Sequence, residues 1–315
     1  MDADTRELLA GSIRALLRSR PGELEVGLAE LGWDEVVSDD EAAAIELLFT
    51  EQGAAGVASA ALDGVVVSAG GGDLPSVPSE QLRVVHPFGS VASSVAGGRL
   101  LVDGVALSEP SPDGVYVVAA GGAVYTVPVA DVPPVVAVGG FDPASALRRV
   151  RFDIGIDDAR ERKSDWRAAT AAARRALACE LIGNGKAMLD IACEQVSQRN
   201  QFGRPIGANQ TPRHRLADGY VQLSASSELM AIAWASGTPW DARVAKAYAG
   251  YAADTTTRAT LQVCGAMGLT SEHLLGGYVK RARTLDALHG RWQHAMRAIG
   301  EQLLASRTIP RGVRV

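Results

Sequence analysis

Residues 199–207 of the chain read RNQFGRPIG, and the pair NQ follows at 209–210. This segment joins two long stretches in which apolar residues recur at helical spacing. Arg199 offers a planar guanidinium that can contact a phosphate through two nitrogens, and Phe202 can present a ring face. Gly203 allows another backbone to approach closely. The segment therefore predicts either an interhelical turn with a solvated arginine or a surface that binds an anion beside a helix start.

Alanine-rich sequence with helical spacing runs from about residue 156 to the end of the chain. Thr211-Pro212 predicts the start of one helix, and Gly237-Thr238-Pro239 predicts the end of that helix and the start of the next. Four apolar stripes predict a C-terminal four-helix bundle, and they lie at 177–196, 216–234, 244–251 and 285–303.

The spacing of apolar residues is different in the part of the chain before residue 156. Between about residues 62 and 155, short β-branched runs alternate with glycine-rich turns, beginning at Val65–Val67. This pattern predicts a small antiparallel barrel or sandwich. Residues 1–61 have helical spacing, and Ser38-Asp39-Asp40 predicts a helix N-cap. The predicted fold is α+β, with a helical domain at 1–61, a β-domain at 62–155 and the bundle at 156–315.

Composition excludes several classes of function. Lys and Arg number 31 and Asp and Glu 36, and the net charge of −5 disfavours nucleic-acid binding or a polybasic membrane anchor. We find no run of 18 apolar residues and no apolar signal-peptide core in the first 18 residues, so we expect no membrane span and a cytoplasmic protein. Three cysteines and five scattered histidines predict three small buried thiols and no metal site.

A second segment, residues 262–272, reads QVCGAMGLTSE. Its glycines are ordinary helix-ending residues, but Gln262 and the backbone after it can also hydrogen-bond a ligand. The two segments together, R-x-Q-F-G-x-P-I and Q-x-x-G-x-x-G-x-x-x-E, resemble the C-terminal domain of the acyl-CoA dehydrogenase family over about residues 170–305. The order of helical part, β-domain and bundle also fits that family.

The resemblance implies roles for particular residues. Family members bind FAD at a subunit interface, and Arg174 matches an arginine near the acyl-CoA site. A set of residues would contact the pyrophosphate and adenosine half of a neighbouring subunit's FAD: Arg199, Gln201, Phe202, Asn209, Gln210, Gln262, Gly265 and Ala266.

The chain departs from the family at the catalytic positions. Most members carry a glutamate base directly before the glycine that matches Gly290, and here that residue is His289. The alternative base position on the first bundle helix holds Ala172. The β-domain motif T-E-P-x-x-G-S-D is missing between residues 62 and 152, and about two helices stand where the family has several. We therefore predict no catalytic residue in this chain and a polar His289 near the bundle surface.

These features predict a subunit of a heteromeric FAD-dependent acyl-CoA dehydrogenase that completes the FAD site of a longer catalytic paralogue. Actinobacterial steroid side-chain degradation uses such enzymes as α2β2 tetramers, and this chain resembles their shorter subunit. The substrate would be an acyl-CoA thioester, with a steroid-derived acyl chain as one expectation. Two alternatives remain open: a homo-oligomer with a base relocated to His289, Glu180 or Asp218, and a flavin-free scaffold of the same fold.

Overall fold

The computed structural model describes residues 1–75, 81–139, 142, 145–201, 203–308 and 310. Its first part contains four helices: α1 Ala3–Ser19, α2 Leu24–Glu30, α3 Trp33–Ala55 and α4 Ala61–Gly70. The expectation of about two helices is thus wrong, and so is the strand at Val65–Val67, which lies inside α4. Leu62, Val65 and Val66 are all buried at helical spacing, and this packing outweighs the β preference of the valines.

Helix α3 bends where the sequence predicts a helix start. Asp40 has the non-helical angles φ −154° and ψ 81°, and its Oδ1 accepts a hydrogen bond from the backbone N–H of Ala43 at 3.1 Å. Asp40 therefore caps the second half of α3, as its place in the Ser38–Asp40 motif predicts.

The β region contains eight strands in the part that the structure describes: β1 Leu82–Val84, β2 Ser94–Ala96, β3 Arg99–Ala106, β4 Val115–Ala120, β5 Ala123–Pro128, β6 Val136–Ala137, β7 Arg148–Gly155 and β8 Arg160–Arg162. One sheet has the order β1-β4-β5-β8 and the other β2-β3-β7-β6. Both sheets contribute to one apolar core that includes Leu100, Tyr116 and Phe152. Every pair is antiparallel except β1 with β4, so the predicted antiparallel architecture is confirmed apart from that pair.

The bundle consists of α5 Trp166–Gln198, α6 Gln210–Ser236, α7 Pro239–Cys264 and α8 Leu275–Ala287. A short hairpin, β9 Asn200–Gln201 and β10 Arg204–Pro205, joins α5 to α6. The fourth apolar stripe is divided between α8 and a further helix, α9 Trp292–Ser306, because His289 and Gly290 have positive φ values of 53° and 100°. Helix α9 packs against α7.

The helix boundaries agree with the sequence at one position and differ at another. Thr238 caps α7, since its hydroxyl accepts from the backbone N–H of Asp241 at 3.1 Å. Helix α6 begins at Gln210, with Asn209 as its N-cap, and not at the predicted Thr211-Pro212.

The three cysteines differ in exposure. Cys179 and Cys264 are buried free thiols, whereas Cys193 is exposed, contrary to expectation. No group of three or more metal-binding side chains comes together among the described residues. None of the helices described is both long and apolar enough to cross a membrane.

Two glycines allow α3 and α5 to cross at close range. A Cβ atom on Gly183 would lie 2.0 Å from the carbonyl oxygen of Thr50, and one on Gly53 would lie 2.1 Å from that of Glu180. The obstructing atoms belong to helix backbones, so they cannot move aside as a flexible side chain could. This crossing joins the N-terminal helices to the bundle.

We expect Gly183→Ala to separate α3 from α5 and to lower the free energy of unfolding by about 1–3 kcal/mol, the usual cost of overpacking. Urea denaturation followed by circular dichroism measures this change. Gly11→Ala in α1 is the matched control, because nothing lies within 4 Å of its added Cβ, and it should leave stability equal or higher by about 0.5–1 kcal/mol. Equal stability of both variants would contradict the close crossing.

Candidate functional site

Three helix ends meet at one end of the bundle. In the last turns of α5, Gln195 Nε2 donates to the carbonyl oxygen of Cys264 at 3.2 Å, and its Oε1 lies 2.6 Å from His273 Nε2. These contacts fasten the end of α5 to the end of α7. Gly219 of α6 packs against Thr256 of α7, and the helices run antiparallel, so the start of α6 lies at the same end. The two sequence segments therefore share one surface.

Arg199 is exposed on this surface. Its Nη1 lies 3.5 Å from the Met267 sulfur, and no carboxylate pairs with it among the described residues. Arg204 is also exposed and donates through Nη2 to Asn209 Oδ1 at 2.6 Å. Asn209 is half-buried, and Phe202 lies outside the described residues. The other predicted members of the surface are exposed: Gln201, Gln210, Gln262, Gly265 and Ala266.

Arg174 lies far from this surface. It precedes the end of α5 by 24 residues, which corresponds to about 36 Å of helix. It is half-buried, and burial, followed by the nearby charge of Arg243, lowers its pKa. The structure thus separates Arg174 from the predicted FAD residues.

A buried series of hydrogen bonds connects the N-terminal helices, the β region and the bundle as the structure has them. His289 Nε2 lies 2.9 Å from His86 Nδ1, and His86 Nε2 lies 2.7 Å from Asp63 Oδ1. Asp63 is in α4, His86 follows β1 and His289 follows α8. Their exposures are 4%, 0% and 6%. The predicted surface position of His289 is therefore wrong, because a partner 203 residues away in sequence holds the ring inside.

Backbone hydrogen bonds close the space around the side chains of His86 and His289. Gly89 N–H donates to the carbonyl oxygen of Ala287 at 2.8 Å, and His289 N–H donates to that of Pro87 at 3.1 Å. A planar ring inserted between these segments needs about 7 Å, twice the usual contact distance. We call residues 86–89 and 287–289 the closing segments. A flat cofactor ring cannot enter between them without breaking these bonds.

Lys246 supports the turn that carries His289. The Lys246 side chain is 1% exposed, and its Nζ donates to the carbonyl oxygens of Asp286 and Gly290, both at 2.6 Å. Burial lowers the pKa of Lys246 to about 8, although Asp286 opposes this shift. Two charge-assisted hydrogen bonds thus hold the left-handed turn in place.

The charge state of His289 follows from its surroundings. Burial lowers its pKa well below the usual value, and His86, Arg174 and Lys246 lower it further. His289 is therefore neutral at pH 7, and the His86–His289 contact contains one proton between the two nitrogens.

Asp63, His86 and Lys246 are site residues that were not predicted from the sequence. One signal for Lys246 was available in the sequence. Lys246 lies among the alanines of residues 245–249, a small-residue stretch typical of a buried helix face, and the structure buries it there. A charged residue on a buried helix face needs partners, and this requirement points to a polar cluster.

Residues 166–304 match the family model described as "Acyl-CoA dehydrogenase, C-terminal domain". The chain is 39% identical over 106 residues to acyl-CoA dehydrogenase IpdE2 of Mycobacterium tuberculosis, a match that covers 34% of this chain and 33% of that protein. It is 33% identical over 114 residues to IpdE2 of Mycolicibacterium smegmatis, covering 36% and 37%. The matches thus span about a third of the length of these curated relatives.

Solved structures match nearly the whole chain. The structure titled "Tcur3481-Tcur3483 steroid ACAD G363A variant" has a TM-score of 0.75 at 18% identity, covering 96% of this chain and 99% of the matched chain. The ChsE4-ChsE5 complex from Mycobacterium tuberculosis has a TM-score of 0.69 at 17% identity, covering 98% and 99%. These matches confirm the predicted acyl-CoA dehydrogenase-like fold.

The lowered pKa of His289 predicts how stability depends on pH. Below about pH 6.5 the unfolded chain binds a proton at this histidine and the folded chain does not. The free energy of unfolding therefore decreases as the pH is lowered, by up to about 1.4 kcal/mol per pH unit. We expect His289→Asn to reduce this slope between pH 6.5 and 5, because asparagine tolerates positive φ but does not titrate.

Urea denaturation at a series of pH values measures the slope. His294→Asn, at an exposed position in α9, is the control and should retain the wild-type slope. A slope that is unchanged in His289→Asn would show that this histidine is not the group responsible.

Proposed function

We propose that this chain is a subunit of a heteromeric FAD-dependent acyl-CoA dehydrogenase, because residues 166–304 match the model of the acyl-CoA dehydrogenase C-terminal domain. In this proposal it completes the FAD site of a longer catalytic paralogue in an α2β2 assembly. The paralogue supplies the catalytic base and most of the thioester pocket. The complex carries out α,β-dehydrogenation of an acyl-CoA, in which bound FAD accepts a hydride from the substrate.

The observation that carries the proposal is a contrast between two sites of the chain. The closing segments are joined directly by hydrogen bonds at 2.8 and 3.1 Å, so they leave no room for a flavin ring where the family resemblance places the base. Arg199, by contrast, is exposed and has no carboxylate partner among the described residues. The chain is thus suited to hold part of another subunit's cofactor and not to hold a reacting flavin of its own.

The hydrogen-bond donors on the surface at the end of the bundle, where Arg199 and Gln262 lie, fit the anionic half of FAD. Arg199 and Arg204 can each direct a guanidinium at a phosphate, and Gln201 and Gln262 can donate through their exposed amides. The first N–H groups of α6 lie at the same end. The residues of this surface therefore match the pyrophosphate in charge and in hydrogen-bonding chemistry.

One cavity between the N-terminal helices, the β-domain and the bundle is too small for an acyl chain. It has a volume of about 10 Å³, enough for one water molecule, and its lining includes Leu62, Leu107, Leu177 and Leu285. A second, more open cavity of about 380 Å³ lies between α6, α7 and α9, and its lining includes Asp218, Asp254 and Arg258. The proposal places most of the thioester pocket in the partner.

The steroid-derived substrate is supported by two similar proteins. One solved structure of the same fold is named a steroid acyl-CoA dehydrogenase, and another is named as a complex of two different proteins, ChsE4 and ChsE5. We extend both properties to this chain as part of the proposal. The cytoplasm is the corresponding expected location.

The homo-oligomer with a relocated base is less well supported. His289 is buried against His86, and Glu180 is buried in an ion pair with Arg281, with Nη2–Oε1 at 2.5 Å. A base must reach a substrate proton, and neither group faces open space. Asp218 is exposed and lines the open cavity between α6 and α7, so this alternative rests on Asp218 alone.

We expect Arg199→Ala to weaken FAD binding by the co-expressed complex about 10–100-fold, because a charge-assisted phosphate contact contributes about 1.5–3 kcal/mol. Titration of the deflavinated complex with FAD, followed by flavin fluorescence, measures the affinity. Arg167→Ala is the matched control, since Arg167 is an exposed arginine at the opposite end of α5. Equal affinity of the two variants would contradict the role of Arg199.

We expect the chain purified alone to contain no flavin, and the complex with its longer paralogue to contain one FAD per pair of unlike chains. The closing segments leave no space for a second flavin ring. Absorbance at the flavin band, divided by the protein concentration, gives the ratio. Two FAD molecules per pair would refute the proposal, and a flavin-free complex would support the scaffold alternative.

A further inference from the structure

The open cavity between α6, α7 and α9, which we call the trough, has the size of a ligand site. Its volume of about 380 Å³ lies within the range of about 300–1,000 Å³ that is usual for small-molecule sites. Helix α7 packs against both α6 and α9 and forms the floor. Charged and aromatic side chains line the trough: Arg215 and Asp218 of α6, Tyr251 and Arg258 of α7, and Trp292 of α9.

The trough is separate from the surface predicted to contact FAD. None of the described residues in that predicted set lines it. Along α7, Arg258 precedes Gln262 by four residues, which corresponds to about 6 Å of helix. One turn beyond the other end of the trough, Tyr248 Oη donates to Gln222 Oε1 at 2.7 Å and joins α7 to α6. The trough is therefore a compartment of its own beside the FAD surface.

Tyr251 and Trp292 form an aromatic wall whose position is fixed. Their ring centroids are 5.4 Å apart, with an interplanar angle of 69°. The backbone N–H of Trp292 donates to Asp286 Oδ1 at 3.0 Å, which anchors the first turn of α9. Gly250 allows Trp292 to pack closely on α7, since a Cβ at that glycine would lie 2.8 Å from the Trp292 Cβ. Preformed aromatic surfaces of this kind stack with the planar base of a nucleotide.

Two guanidinium groups with free donors line the same trough. Asp254, which is 7% exposed, pairs with Arg258 through Oδ2–Nη2 at 3.0 Å and with Arg283 through Oδ1–Nη2 at 2.6 Å. One carboxylate thus holds two arginines and leaves a net positive charge. The Arg258 side chain remains 75% exposed, and Arg215 is exposed with no carboxylate partner within the described ranges. Two such groups suit a phosphate, whose oxygens accept from several guanidinium nitrogens.

Asp218 makes the trough poorly suited to a bare anion. It is exposed, lies one turn from Arg215 on α6, and forms no ion pair with any residue that the structure describes. Its carboxylate would repel a free anion, but it can accept hydrogen bonds from hydroxyl groups, as acidic residues do from the ribose of dinucleotides. A ligand that carries a phosphate, neighbouring hydroxyls and a planar ring therefore matches the groups that line the trough.

We propose that the trough binds a nucleoside monophosphate. Its base packs against Tyr251 and Trp292, and its ribose hydroxyls donate to Asp218. Its phosphate oxygens accept from Arg215 and Arg258. The site does not depend on the FAD role proposed above, because the described residues of the two sites do not overlap.

Calorimetric titration of the full chain, alone and in the complex with the paralogue, tests the class of ligand. The three probes are AMP, adenosine and inorganic phosphate. We expect AMP to bind at least about 10-fold more tightly than either of the others, because only AMP contacts both the aromatic wall and the arginines. Absence of AMP binding to the chain or to the complex would overturn the proposal. Phosphate or adenosine binding as tightly as AMP would overturn it as well.

Arginine variants locate the bound AMP. Arg215→Ala should weaken AMP binding about 10-fold, because it removes a charge-assisted contact to the phosphate. Arg213→Ala is the matched control, since Arg213 is also exposed on α6 but does not line the trough. Arg199→Ala should leave the AMP affinity unchanged. Loss of AMP binding in Arg199→Ala, with full binding in Arg215→Ala, would place AMP on the FAD surface and overturn this proposal. FAD titration of the same variants tests the proposed function separately, because Arg215→Ala should not alter FAD affinity.

A nucleotide without ribose hydroxyls tests the role of Asp218. We expect dideoxyadenosine monophosphate to bind the wild-type chain about 10-fold more weakly than AMP, because the hydrogen bonds to the carboxylate are lost. In Asp218→Ala the two nucleotides should bind with similar affinity. Glu228→Ala, which removes an exposed carboxylate of α6 outside the trough, is the control and should keep the preference for AMP. A preference that persists in Asp218→Ala would overturn the proposed position of the ribose.

Discussion

The contact between the closing segments determines what this chain can do. The backbone around His86 and the backbone around His289 share two hydrogen bonds, from Gly89 N–H to Ala287 and from His289 N–H to Pro87. Beside them the rings of His86 and His289 meet, and Asp63 completes the chain of contacts from the third part of the protein. Because backbone and side-chain hydrogen bonds both cross this junction, the N-terminal helices, the β-domain and the bundle are packed together there.

Buried charge surrounds that junction. Lys246 is neutralised in part by Asp286 and holds two carbonyl oxygens, while Arg281 pairs with Glu180 between α8 and α5. Such pairs gain little net stability over apolar residues of the same size, but they strongly disfavour alternative packings in which one partner is left alone. We interpret them as fixing the position of α8 and its left-handed turn relative to α5 and α7.

Local signals predicted the parts of the structure that local chemistry determines. The Gly237-Thr238-Pro239 boundary, the Asp40 cap and the bundle helices follow from neighbouring residues alone. The strand predicted at Val65–Val67 was wrong because the β preference of these valines is weaker than the effect of their burial where α4 packs against α5. The segments around Arg199 and Gln262 were identified by pattern, and the structure brings them to one end of the bundle.

The buried chain of Asp63, His86 and His289 could not be predicted in the same way. Its members are separated by 23 and 203 positions, and no local spacing shows that they meet. His289 also depends on an unusual backbone angle, which follows from the hydrogen bonds of Lys246 and not from the residue itself. Side chains that receive their environment from distant elements are visible only after folding.

The left-handed turn at position 289 limits what one substitution there can achieve. A glutamate at this position would place a carboxylate beside His86, inside a junction whose two backbone segments are already joined by hydrogen bonds. Exchanging this side chain alone would therefore change the charge inside the junction and leave the two segments closed.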